Sequence, residues 1–126
     1  MLNRDAAPNT TAGPALAADP LDFVTMRVTA RRVLEMSEPR PQLDELTVAM
    51  RGMVHLLVPE LSTLVASQPP GDGPARVAQI GMEEAWRRLT TPPGFGPDAA
   101  YRQAQKLARS VLSLCDHVEN LAGAES

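Results

Sequence analysis

Cys115, Asp116 and His117 stand side by side in the stretch SLCDHVEN, residues 113–120. They are the three residue types of a thiol hydrolase triad, and the chain has no other cysteine. Nucleophilic catalysis needs the base within hydrogen-bond reach of the thiol. Successive residues of a helix are about 100° apart around the axis, so on a helix Cys115 and His117 point to opposite sides, about 200° apart. The periodicity of this region is helical, and the triad therefore fails on geometry. Cys115 falls on the apolar stripe of that helix, where a thiol has a raised pKa and is inert. Asp116 falls on a polar face with Arg109 and Asn120, which reads as a solvated face with weak ion pairs. The remaining base, His55, projects away from the apolar seam of its own helix, so a Cys115–His55 pair is not expected either.

Metal chemistry is no better supplied. A di-iron bundle needs inward Glu-x-x-His pairs, and no glutamate here has a histidine three residues later. Two histidines and one cysteine without clustered spacing do not make a zinc site. There is no Gly-rich loop followed by Lys-Ser/Thr. In TPPGFGP (91–97), Phe95 reads as a plug over the end of the fold. Histidine phosphotransfer domains are helical bundles of similar size, but they carry a lysine three and a glycine four residues after the histidine. Here His55 is followed at those places by Val58 and Pro59, and His117 by Asn120 and Leu121.

The elements that must position these residues are helices. The 126 residues contain 44% hydrophobic residues but only 3% aromatics, so the core is aliphatic, which suits helices better than strands. Prolines in EPRPQ (38–42), QPPGDGP (68–74) and TPPGFGP divide residues 19–122 into four amphipathic segments. The first runs from about Leu21 to Ser37, with Asp19 as N-cap and Pro20 at the first helical position. Phe23, Met26, Ala30, Val33 and Leu34 share its inner face, and Val24 and Val28 lie opposite. The second, about 42–67, carries the seam Leu43, Leu46, Met50, Met53, Leu57, Leu61 and Leu64. Pro59 interrupts it on the far face, where a bend or break is expected.

The third segment, about 74–90, places Ala75, Ala78, Gly81, Met82, Ala85, Trp86 and Leu89 together. Val77 and Ile80 point elsewhere. Glu83–Arg87 and Glu84–Arg88 are spaced as i,i+4 ion pairs. The fourth, about 98–122, has the cleanest stripe: Tyr101, Ala104, Leu107, Ala108, Val111, Leu114, Cys115, Val118 and Ala122, with Gly123 as its stop. The expected fold is all-α, an up-down-up-down four-helix bundle with helix two kinked or broken at Pro59. Residues 1–18 read as a disordered tail and 123–126 as a C-terminal tail.

Three blocks of the chain are similar to a family of small, uncharacterised actinobacterial proteins. They are RGMVHLLVPELSTLVA (51–66), EEAWRRL (83–89) and YRQAQKLARSVLSLCDHVENL (101–121). The last carries a closing LARS-x-x-x-LCDH-x-E signature, Leu107 to Glu119. Met53 stands where many relatives carry histidine, and Val118 where they carry tyrosine. Members are sometimes labelled natural-product-biosynthesis proteins. The resemblance implies no activity, cofactor or catalytic residue.

Charge and composition bound the function. Twelve basic and fifteen acidic residues give a net charge of −3, which argues against a nucleic-acid binder. One cysteine makes no internal disulfide. The start of the chain lacks a signal-peptide apolar core, and no run of about 18 apolar residues is expected to span a membrane. The expectation is a cytoplasmic, non-enzymatic accessory protein without cofactor or metal, binding a protein partner or itself. The alternative is a small-molecule binder with its pocket between helices near Pro59 and Trp86. Trp86, His55, Asp116, His117 and Arg109 are the candidate ligand or interface residues.

Overall fold

A computed structural model describes residues 21–96 and 98–125. The proposed 1–18 tail, and the Asp19 cap with Pro20, lie outside those residues. Four helices and no strand occur among them: α1 (Phe23–Leu34), α2 (Leu43–Ala66), α3 (Gly73–Thr90) and α4 (Ala99–Glu125). Asp22 is the N-cap of α1, its carboxylate accepting from the Thr25 N–H at 3.0 Å and the Thr25 hydroxyl at 2.7 Å. These two bonds hold its pKa below the usual carboxylate value. Asp72 caps α3 in the same way, accepting from Ala75 N–H at 3.0 Å, with Pro74 in the first turn. Gly71 has φ +82° in the turn before it, a conformation that suits glycine.

α2 is continuous through Pro59, so the expected alternative of a broken helix is corrected. Pro59 is exposed, and its missing N–H leaves one turn of α2 without its i→i−4 bond rather than ending the helix. α4 runs on to Glu125, past the expected stop at Gly123.

α2 and α4 each pack against all three other helices, while α1 and α3 do not touch each other among the described residues. The shared interior is aliphatic and sulfur-rich: Met26, Met50, Met82, Leu57, Leu61, Leu107, Leu114 and Cys115. Each fully buried leucine contributes roughly 1.5–3 kcal/mol, so this interior is the main source of stability. Two positions of the expected stripes change places with a neighbour. Val54 is fully buried where Met53 was expected and is only half-buried, and Leu121 is buried where Ala122 was expected and is exposed. Phe95 is fully exposed rather than plugging the end of the bundle.

α2 is also apolar outside the core. An 18-residue window of it has a mean hydropathy of 1.3, enough by length and composition to cross a bilayer, although Arg51, His55 and Glu60 interrupt any continuous apolar run. Only 28% of that window is buried in the bundle, so apolar surface remains on its outer side.

Candidate functional site

The closing stretch of α4 does not gather its chemical residues at one point. It spends them on three different neighbours. Cys115 is fully buried, with its Sγ 4.0 Å from the Met26 Sδ of α1. Burial pushes its thiol up to about 11, which removes the thiolate at neutral pH. Asp116 is exposed and pairs with α1 rather than with Arg109 of its own face. One Arg27 nitrogen, Nη2, donates to Asp116 Oδ1 and to Glu119 Oε1, both at 2.7 Å. The guanidinium, also 5.9 Å over the Phe23 ring, holds the Glu119 carboxyl below its ordinary value. His117 points the third way, towards α3, and packs its imidazole over Gly81. Arg109 is exposed on the outer side of α4. Cys115, Asp116 and His117 therefore contact different partners, and no thiol–imidazole pair forms on this helix.

A second set of polar contacts closes the end of α3. The last carbonyls of a helix lack intrahelical partners and need donors from elsewhere. The Arg87 carbonyl accepts from the Thr91 N–H at 3.0 Å, and the Thr90 hydroxyl turns back one turn to the Trp86 carbonyl at 2.9 Å. Gln103 of α4 donates to the Arg88 carbonyl at 2.6 Å, and Arg51 of α2 to the Leu89 carbonyl at 2.9 Å. Arg88 turns instead to α4, donating to the Lys106 carbonyl at 2.8 Å and to the buried Ser110 hydroxyl at 2.9 Å. Its other nitrogen pairs with Glu84 at 3.2 Å, so one of the two expected i,i+4 pairs forms. The other does not: Glu83 accepts from Gln79, and Arg87 has no ion-pair partner among the described residues.

The concave surface lies elsewhere, between α2 and α3. A groove of about 580 Å³ is lined by Val58 and Ser62 from α2 and by Gln79, Met82, Glu83, Trp86, Arg87 and Thr90 from α3. Trp86 is about half exposed and meets the His55 ring edge-on, centroids 5.9 Å apart and planes at 88°. Trp86 is the aromatic wall of the groove, and the His55 ring supports it edge-on from α2. The groove has the volume of a small-molecule site and a mixed lining. It contains hydroxyls, one acid and one base, but its hydroxyls have no imidazole or carboxylate bonded to them, and Thr90 is spent on a carbonyl. No group of three or more metal-ligating side chains occurs among the described residues.

Of the five candidate residues, His55 and Trp86 are brought into ring contact, and of these two Trp86 lines the groove. Asp116 is tied to α1, His117 to α3, and Arg109 stands apart. Arg27, Arg51, Ser110 and Lys106 carry no local signal in the sequence, because their contacts join residues far apart in the chain.

No curated protein and no solved structure matches the chain. A family of unknown function does, over residues 24–123, from the first turn of α1 to the last turns of α4. With the match running through the whole helical domain, the protein belongs to DUF6415, a family of unknown function.

Proposed function

We propose that the protein is a non-enzymatic helical module that binds a protein partner or a second copy of itself. The observation that carries this reading is the apolar surface left outside the core on α2 and α3. On α2 Val48 is 69% exposed and Leu56 48%, and on α3 Val77 is 57% and Ile80 64% exposed. Exposed apolar side chains of this size lose free energy on being covered by a partner. The separation of Cys115, Asp116 and His117 onto three neighbours supports the non-enzymatic side of the reading. The short connections support an up-down-up-down arrangement, and the exposed Pro59 supports a bend in α2. Multi-angle light scattering across a concentration series, with crosslinked capture from the native host, tests the interaction. A complex that Leu56→Glu and Ile80→Glu dissolve is expected; a strict monomer with no captured partner refutes it.

A second reading is favoured by the α2–α3 groove, whose aromatic wall and volume of about 580 Å³ suit a small molecule. Trp86 is the only tryptophan, so its fluorescence reports directly on occupancy.

A further inference from the structure

The groove does not end at Arg87. A second cleft, about 280 Å³, lies on the other side of the same side chain, lined by Glu84, Arg87, Arg88, Thr91, Gln103 and Lys106. Its charges are three cations and one acid. Glu84 is already neutralised by Arg88 at 3.2 Å, and Arg88 is held by α4. Arg87 and Lys106 have no ion-pair partner among the described residues. Nor are their side chains spent on the end of α3, whose last carbonyls are taken by Thr91, Gln103 and Arg51. The cleft thus presents two uncommitted cations, and the adjoining groove presents Met82, Val58 and the Trp86 ring.

We infer that groove and cleft form one binding site for an amphipathic anion. An apolar, aromatic body lies against Trp86, Met82 and Val58, and its phosphate, sulfonate or carboxylate group is held between Arg87 and Lys106. Charge sets the orientation. Glu83 sits on the groove side, one turn before Arg87, and repels an anion there. The anionic end therefore lies across Arg87, in the cleft. Arg87 offers a planar, multiply donating group suited to oxyanions, and Lys106 adds a point charge. The inference rests on the small-molecule reading above and adds the class of ligand to it.

A matched pair of probes tests the site on the full chain. 8-Anilinonaphthalene-1-sulfonate is an aromatic anion; N-phenyl-1-naphthylamine has the same aromatic framework without the charge. Titration of each is followed by Trp86 quenching and by probe emission. The sulfonate is expected to bind saturably at one site, roughly tenfold more tightly than the neutral probe, as a charge-assisted contact implies. Arg87→Ala and Lys106→Ala, both at exposed positions, are expected to remove that preference while leaving the thermal melt unchanged. Added salt is expected to weaken the sulfonate and not the amine. Equal affinity for the two probes, or a preference that survives both substitutions, overturns the anion site and leaves the groove as an apolar pocket. Saturable binding of neither probe overturns the anion site and the small-molecule reading together.

Discussion

His117 packs its imidazole edge against Gly81, so closely that a Cβ on Gly81 would stand 3.2 Å from both Cδ2 and Nε2 of the ring. Ser113 Oγ would lie 3.8 Å away on the same side. A glycine in the middle of α3 costs about 1 kcal/mol of helix stability relative to alanine. Its presence is accounted for by the ring that fills the space, and the pair fixes how closely α3 and α4 approach.

That pairing makes the sign of Gly81→Ala depend on its neighbour. With His117 replaced by alanine, Gly81→Ala should stabilise the fold by about 1 kcal/mol, the full propensity gain. With His117 in place the gain should be lost, because the ring must shift by a few tenths of an ångström. Urea unfolding of the four proteins of the double-mutant cycle gives the coupling, expected at about 0.5 kcal/mol or more. Additive effects would mean that the ring moves away at no cost.

Cys115 should be unreactive in the folded protein and should make stability depend on alkaline pH. Its folded pKa is raised to about 11 from an ordinary value near 9. Between those values the unfolded chain has lost a proton that the folded chain retains. Stability therefore falls as pH rises from about 9 to about 11, by at most about 1.4 kcal/mol per unit. Urea melts of the wild type and Cys115→Ala at pH 7, 9 and 10 isolate this, since only the wild type should show the extra loss. Thiol labelling at pH 8 should be slow in buffer and complete in denaturant.

These two relationships also show what could be read without coordinates. The apolar stripes were legible because helical period alone places Met26, Leu57, Leu107 and Leu114 inside. Where two candidates stand side by side, period cannot choose: Val54 rather than Met53, and Leu121 rather than Ala122, are settled by how α2 and α4 rotate against their neighbours. The failure of the Cys-Asp-His triplet was legible for the same reason, as it needs only the 100° step. Its real partners were not. Arg27 lies 89 residues before Asp116, and nothing local in either segment names the other. The exposure of Phe95 is not legible in the sequence, because a loop aromatic between glycines gives no sign of whether the loop folds back over the core.

The Arg27 clamp should appear as an acid-side dependence of stability. Glu119 has a folded pKa below its ordinary value of 4.5, chiefly because Arg27 donates to it. A depressed carboxylate stabilises the fold above its unfolded pKa, and that contribution is lost as pH falls through the folded value. Glu119→Gln and Arg27→Met should therefore lower the melting temperature at pH 7, and the difference from wild type should close as pH drops below 4.5. High salt at pH 7 should narrow it too, because both carboxylates are exposed. Deficits of equal size at pH 7 and pH 3 would assign the effect to Arg27 packing on Phe23 instead.

Pro59 stands in the middle of α2, exposed and outside the buried core. A mid-helix proline removes one backbone bond, crowds the carbonyl four residues earlier and costs about 3 kcal/mol relative to alanine. That carbonyl belongs to His55, the residue whose ring meets Trp86, which lines the groove. Pro59→Ala should restore the bond and raise the unfolding free energy by roughly 1–3 kcal/mol, less than the full penalty because the wild-type helix has already relaxed around the ring. If the proline also sets where His55 presents its ring, the same substitution should change Trp86 emission and weaken binding in the groove while the protein becomes more stable. Urea unfolding and Trp86 fluorescence on the one variant read both effects. A gain in stability with unchanged emission would separate Pro59 from the aromatic wall, and no gain would show that the local backbone has no bond to recover.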